Sequence, residues 1–302
     1  MAHDALRDEL ATLTTEAADA ALDDIDLVPT LEAARRMNAA DRSVPAAIEP
    51  CLPAVAEAAD RIAAAFARGG RLVYVGAGTP GRLGVLDASE CPPTFGTDPS
   101  QVVGVIAGGD VALTTAVEGA EDDEAAAVHD LDALGLTADD VVVGISASGR
   151  TPYVLAAIRE ARRRSATTVS VACNAGSAAG RLADIAIDVV VGPEFIAGST
   201  RLKAGTAQKL VCNMLTTLAM VRRHKTYGNR MVDVRATNEK LVARAFSLVQ
   251  DVTGAPDAEV SAALEACDGE VKTAIAMLLT GVSADVARSR LAEADGSLRA
   301  VL

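Results

Sequence analysis

Five short apolar runs rich in β-branched residues, Leu72–Val75, Val102–Ile106, Val141–Ile145, Thr168–Val171 and Ile185–Val191, alternate with helical stretches such as Thr151–Arg164. Each run is too short for a helix and almost continuously hydrophobic, as strands buried on both faces are. This alternation predicts an α/β fold, an open parallel sheet sandwiched by helices. Residues 1–70 read as N-terminal helices: Thr30 stands as a capping residue before a periodic run, Val44 to Arg68 keeps its apolar residues on one face, and Pro53 marks a kink or an early turn. Helical character returns from Thr200, through Gln208–Val221 and Ala236–Leu248, until Thr253-Gly254-Ala255-Pro256 interrupts it. The chain thus divides into a main domain, 1–252, and a small C-terminal helical domain, 253–302. Three or four short helices in the latter break at Asp268-Gly269, Gly281-Val282-Ser283 and Asp295-Gly296. About 45 residues is marginal for a free-standing core, so this tail is expected to pack on the main domain or a partner. No internal repeat stands out beyond general alanine richness.

With 302 residues, 50% of them hydrophobic, the chain has ample material for a buried core, but only 2% are aromatic and none is Trp. Aliphatic side chains must fill the interior, and stacking platforms for bases are not expected. Lys+Arg 28 against Asp+Glu 41 leaves a net charge of -13, which argues against nucleic acid or an anionic membrane as partner. It leaves room for one local anion site. No apolar run reaches the roughly 18 residues of a membrane span, and Met1 to Leu10 carries Asp4, Asp8 and Glu9 instead of a basic start and an apolar stretch. A cytoplasmic protein is expected. The five cysteines (Cys51, Cys91, Cys173, Cys212, Cys267) never show CxxC spacing, so they indicate neither a disulfide framework nor a zinc site, and no metal is expected.

Two loops follow strand ends. Gly76-Ala77-Gly78-Thr79-Pro80-Gly81-Arg82 matches G-x-G-x-x-G, and such a turn before a helix lets backbone N–H groups and the helix dipole converge on a phosphate. A tight turn without a ligand is the plainer alternative. Ser146-Ala147-Ser148-Gly149-Arg150-Thr151-Pro152 occupies the same position after the third strand; Ser148 and Thr151, joined by Ser146, offer hydroxyls to a ligand or cap the helix. A dinucleotide needs one phosphate loop and a ribose-binding acid, whereas two phosphate-type loops suit a small phosphorylated ligand in the crevice.

Carboxylates stand nearby. Glu90 precedes Cys91-Pro92-Pro93, which predicts an abrupt helix end, where a negative charge opposes the helix dipole. In Glu118-Gly119-Ala120-Glu121-Asp122-Asp123-Glu124 most of the charge reads as a solvated face. Glu194 follows the last strand and precedes Gly198-Ser199-Thr200-Arg201-Leu202-Lys203; cations opening a long helix read as ligand chemistry, with an exposed basic turn as the alternative. His3, His129 and His224 all read as solvated.

These residues resemble the N-acetylmuramic acid 6-phosphate etherases, which are built on a sugar isomerase (SIS) domain. The likeness spans nearly the whole chain: Gly76-Ala77-Gly78-Thr79, Gly81-Arg82-Leu83-Gly84, Leu86-Asp87-Ala88-Ser89-Glu90-Cys91-Pro92-Pro93-Thr94, Val117-Glu118-Gly119-Ala120-Glu121-Asp122, Ala147–Val154, the Gly198–Lys209 segment, and Tyr227-Gly228-Asn229 to Ala236-Thr237-Asn238-Glu239-Lys240-Leu241. It implies an SIS-type, flavodoxin-like sheet and a lyase without cofactor, paired as a homodimer. The implied reaction splits the D-lactyl ether of N-acetylmuramic acid 6-phosphate into N-acetylglucosamine 6-phosphate and D-lactate. By motif position Glu90 matches the family's acid and Glu121 its second, base-like carboxylate, so Glu90 is expected to be kept protonated by burial or a neighbouring acid and Glu121 ionised. Gly78, Thr79, Ser89, Ser146, Ser148, Gly149, Arg150, Thr151, Glu194, Ser199 and Lys203 are expected around the sugar phosphate.

Two departures stand out. Pro80 replaces the usual loop serine, whose hydrogen bond to a charged phosphate would be worth about 1.5–3 kcal/mol, or about 10- to 150-fold in affinity. Ser146 stands where the etherases usually have Ala, and is expected to offset Pro80. The alternative function is a non-catalytic sugar-phosphate-binding regulator like the glucokinase regulatory protein, which does not need the Glu90 and Glu121 pair; a nicotinamide-dependent enzyme is a distant third.

Overall fold

The five apolar runs become strands Leu72–Gly76 (β1), Val102–Ile106 (β2), Val141–Ile145 (β3), Thr167–Ala172 (β4) and Ile185–Asp188 (β5). All neighbouring pairs are parallel, in the order β2-β1-β3-β4-β5. β5 stops short of the expected Val191. The computed structural model describes residues 13–234 and 239–302, so His3 and the Ala236-Thr237-Asn238 part of the last motif lie outside the described residues.

These residues form two compact units, one running to Ser89 and resuming over Ser100–Thr216, the other made of Glu90–Pro99 and Thr217–Leu302. In the first, helices Thr30–Asp41 (α1), Ser43–Ile48 (α2) and Leu52–Ala67 (α3) precede the sheet. Thr30 is the first helical residue and not the cap, which is Pro29 without a side-chain bond. Pro53 lies in the first turn of α3, where a missing N–H costs nothing. Gly78–Phe95 (α4), Val111–Thr114 (α5), Glu124–Ala133 (α6), Pro152–Arg163 (α7), Ala178–Leu182 (α8) and Lys203–Arg222 (α9) follow in turn. Every residue of β1 and β3 is buried, and successive side chains serve opposite layers. Val73, Val75 and Val142 pack with Leu131 of α6 and Val154 and Ile158 of α7. On the other face the Tyr74 hydroxyl lies 2.9 Å from Asp87 Oδ2 on α4 and 3.2 Å from the Cys212 carbonyl on α9.

The expected stop at Cys91-Pro92-Pro93 does not occur. Proline's own φ suits a helix, and this helix tolerates the cost of the pair, which is the loss of the N–H groups that would meet the Ala88 and Ser89 carbonyls and the crowding of those carbonyls by the rings. α4 therefore continues to Phe95, where Gly96 at φ +63 donates its N–H to the Pro92 carbonyl at 2.9 Å. Glu90 thus sits in the helix body, and no dipole misfit singles it out.

The second unit contains a short hairpin, Thr226–Tyr227 (β6) with Arg230–Met231 (β7), followed by Glu239–Thr253 (α10), Asp257–Ala266 (α11), Val271–Thr280 (α12), Ala284–Glu293 (α13) and Leu298–Val301 (α14). The helices break at the three places their sequence marks. Val232, Val234, Ala245 and Val249 share one apolar core with Val260, Ile275, Ala287 and Leu291. Gly254 (φ +67) consequently turns the chain within one packed layer, and the compact unit reaches back to Thr217, well before the sequence break at Thr253. A duplicated turn also emerges that alanine richness had masked in the sequence. Leu264–Gly269 and Leu291–Gly296 each end a helix with Asp then Gly in the left-handed region, and each glycine N–H returns to its leucine carbonyl, at 2.8 and 2.7 Å.

All five cysteines are free; Cys91, Cys173, Cys212 and Cys267 are buried and Cys51 is partly exposed. Burial pushes the Cys173 thiol up to about 12 and raises Cys212 as well. Thiolates are therefore scarce at neutral pH. A chromogenic thiol reagent at pH 8 is expected to label at most one thiol rapidly in the native protein and five after denaturation. Rapid native labelling of Cys173 would contradict this burial. Among the described residues, no helix is long and apolar enough to cross a membrane.

Candidate active site

The strand order reverses between β1 and β3: the chain leaves β1 for one edge, then crosses back to add β3 on the other side. Crevices at the carboxyl ends of such strands are where open α/β sheets bind ligands. Both loops singled out in the sequence begin there, after Gly76 and after Ile145, which are paired in register.

In the first loop the glycines have separate duties. A Cβ on Gly76 would lie 2.6 Å from the Gly81 nitrogen, and one on Gly81 would lie 2.6 Å from the Gly76 carbonyl oxygen, so strand end and helix start touch backbone to backbone. Gly78 opens α4 at φ +58 and is exposed. The tight-turn reading is thus correct as far as it goes, and it also delivers a helix N-terminus into the crevice. Pro80, in that first turn, contributes no N–H. Thr79 lies beside the start of α9, with its Cγ2 3.5 Å from where a Gly205 Cβ would be.

The second loop is organised by Ser146, which is 2% exposed. Its oxygen accepts the Gly149 N–H at 3.1 Å and lies 2.8 Å from Thr151 Oγ1 and 3.4 Å from Ser148 Oγ. Ser148 Oγ accepts the Arg150 N–H at 3.3 Å. Gly149 is at φ +68, tight against Ser177. Thr151 occupies the N-cap of α7 yet makes no side-chain cap bond, because its hydroxyl is turned to Ser146. The first N–H groups of α7 therefore have no side-chain cap, and the capping alternative does not describe these hydroxyls. Ser146 itself is a buried organiser of Thr151 and Ser148, not an open donor.

Beside the first loop a cavity of about 190 Å³ is lined by Gly78, Arg82, Val117, Glu118 and Glu121 among others. Glu121 comes from the 3-10 turn Ala120–Asp122, entered through Gly119 at φ +72. The structure thus singles Glu121 and Glu118 out of an acidic stretch that reads as a solvated face. Arg82 joins them. The sequence reading left it unassigned, although its position one helical turn after Gly78 puts both on one face. Ser89 and Glu90 are exposed and do not line this cavity, and the Ser89 hydroxyl donates to the Leu86 carbonyl at 2.8 Å. The expected burial of Glu90 is absent from the chain. A larger cleft of about 430 Å³ lies at the amino ends of β4 and β5, between Glu57, Arg61, Arg162 and Asp184. It lies at the wrong end of the sheet for the switch-point rule, and its charges pair with one another.

Glu194 and Lys203 both bond to the backbone around the start of α9. Glu194 is 1% exposed and accepts the Lys203 and Ala204 N–H groups at 2.8 and 2.9 Å, capping α9. Its charge suits the positive end of that helix. The buried Lys203 ammonium donates to the Val191 carbonyl at 2.7 Å. The cation at this helix start is thus turned back onto the chain leading out of β5. Ser199 is half-buried nearby; His129 is exposed, and the His224 carbonyl accepts from Lys272 Nζ at 2.8 Å.

A five-stranded parallel sheet with these two loops at its switch point defines an SIS domain. Residues 54–162 match the family model of the glucokinase regulatory protein N-terminal SIS domain, and residues 115–218 match that of the SIS domain. Over 300 residues the chain is 61% identical to the N-acetylmuramic acid 6-phosphate etherase of Streptomyces avermitilis, covering 99% of this chain and 96% of that protein. It is 52% identical to the N-acetylmuramic acid 6-phosphate etherase of Mycolicibacterium smegmatis, covering 97% and 99%. It is 54% identical to N-acetylmuramic acid 6-phosphate etherase 2 of Vibrio parahaemolyticus, covering 97% and 98%. The chain belongs to the N-acetylmuramic acid 6-phosphate etherase family.

Proposed function

We propose that the chain is a carbon–oxygen lyase that converts N-acetylmuramic acid 6-phosphate into N-acetylglucosamine 6-phosphate and D-lactate, in the recycling of cell-wall sugars. The observation that carries this reading is the 61% identity sustained over 99% of the chain. The site chemistry suits it. Loop N–H groups and the hydroxyls of Ser148 and Thr151 receive the phosphate. In the ring-opened aldehyde the C2 hydrogen is α to the carbonyl, so the Glu121 carboxylate takes it as a proton. The electron pair forms the C2–C3 double bond while the C3–O bond breaks, and Glu90 protonates the departing lactate oxygen. Water then adds across the double bond, its oxygen to C3 and a proton to C2. No cofactor enters. The test is direct: incubate the protein with N-acetylmuramic acid 6-phosphate and assay D-lactate.

The match to the glucokinase regulatory protein domain, with Pro80 in the first loop, keeps one second reading, a sugar-phosphate-binding regulator. Saturable binding of the sugar phosphate without lactate would favour it. We further propose a cytoplasmic homodimer, a pairing supported by the exposed apolar Leu27 and Leu31, 80% and 64% accessible at the start of the described chain.

Ser146 offers a test of how Pro80 is offset. Ser146→Ala removes the oxygen that positions Thr151 and Gly149, and the Michaelis constant for the sugar phosphate is expected to rise about tenfold, the weight of one hydrogen bond of about 1–1.5 kcal/mol. An unchanged Michaelis constant would refute the compensation.

A further inference from the structure

Arg82 is a cation in a cavity whose other charged groups are acids. It lines the same space as Glu118 and Glu121, yet it forms no ion pair with either among the described residues. Its Nε donates to the Leu113 carbonyl at 3.0 Å, which holds the half-buried guanidinium in place and leaves the Nη groups unassigned. A fixed cation and a carboxylate that share a cavity without closing on each other leave a gap for a ligand that carries an anionic group of its own.

Resting on the etherase reading, the substrate has two such groups. The phosphate is accounted for by the hydroxyls and helix starts, which are suited to a tetrahedral oxyanion. The lactyl carboxylate is planar, remote from the phosphate, and part of the leaving group at C3, next to the C2 hydrogen that Glu121 takes. A guanidinium offers paired N–H groups matched to a carboxylate. We propose that Arg82 receives the lactyl carboxylate and is thereby the residue that selects the ether substrate over sugar phosphates without a lactyl arm. Held by Leu113, it sets the leaving group beside Glu121 and keeps the repulsion between two carboxylates from expelling the substrate.

The test compares N-acetylmuramic acid 6-phosphate with its lactyl carboxamide, which removes the negative charge and puts an NH2 donor in place of one acceptor oxygen where Arg82 would meet it. For the unmodified protein, kcat/KM and calorimetric affinity are expected to favour the carboxylate by about 10- to 150-fold, the worth of one charge-assisted hydrogen-bonded contact. In Arg82→Gln that preference is expected to fall to within about threefold, and Arg82→Lys to restore part of it. If Arg82 merely braces Leu113, or receives the phosphate, the variant loses both ligands equally and keeps the preference, and the proposal fails. Should Arg82→Gln not fold, a preference below about threefold in the unmodified protein also overturns it. Tight carboxylate-selective binding without lactate release would sink the etherase reading while leaving the Arg82 assignment standing.

Discussion

Glu121→Gln is expected to lower D-lactate release from N-acetylmuramic acid 6-phosphate by about 10²- to 10⁴-fold, the range for removing a positioned general base. The cause is local. Glutamine keeps the shape of the side chain on the Ala120–Asp122 turn but cannot take the C2 proton. Binding should survive, because the phosphate contacts assigned to Ser148 and Thr151 are untouched; a dissociation constant within about threefold of the unmodified protein is expected. Glu90→Gln should also stop lactate release, for a different reason: the leaving oxygen loses its acid. The two variants separate when N-acetylglucosamine 6-phosphate is incubated in deuterium oxide. Exchange at C2 needs only the base, so it should vanish in Glu121→Gln and persist in Glu90→Gln. The reverse pattern would exchange the two roles, and normal lactate release by either variant would remove that residue from the chemistry.

The second large effect belongs to the other end of the sheet. Asp140, just before β3, is 1% exposed and receives Arg71 Nε and Nη2 at 3.1 and 2.8 Å, with the N–H groups of Arg71 and Thr137 at 2.8 and 2.9 Å. It ties the amino ends of β1 and β3 together. Asp140→Ala leaves two N–H groups without their acceptor and the Arg71 guanidinium without its counter-charge, held only by the Leu134 and Gly135 carbonyls, so a loss of about 3–5 kcal/mol is expected, with Tm lower by on the order of 10 °C. Strands of five residues put the site about 17 Å away, and lactate release at low temperature should persist.

Burial by itself would push the Asp140 carboxyl up, but Arg71 and the two N–H groups outweigh it and hold the carboxyl below the ordinary range. A carboxylate depressed on folding adds stability above its unfolded pKa, about 4, and that stability is lost as pH falls through the folded value. The stability gap between the unmodified protein and Asp140→Asn should therefore begin to narrow at about pH 5 and go on narrowing as pH falls below about 4. A gap independent of pH would show that Asp140 acts by shape alone.

Strands and loops were legible in the sequence because their signals are local. Val141 to Ile145 is apolar and β-branched, which no neighbour needs to explain, and the glycines and hydroxyls after Gly76 and Ile145 mark strand-to-helix turns wherever they occur. The setting of Glu194 and Lys203 was not legible, for the complementary reason. The cation at this helix start has a carboxylate cap and a backbone carbonyl beside it only because the chain upstream folds back. The prolines after Glu90 misled in the same way, since a single turn's propensity predicts a stop that the helix does not make.

By itself, then, the sequence determined the class of fold, the places of the two loops after β1 and β3 and, through its resemblance, the family, because each is written in adjacent residues. Only the tertiary structure decided that the strand order sets both loops at one switch point, that Glu121 faces a cavity while its acidic neighbours Asp122 and Asp123 do not line it, and that Arg82 shares that cavity. The reason is physical: a side chain's chemistry depends on which distant groups share its space, and that is settled by packing across the sheet, not by the order of residues along it.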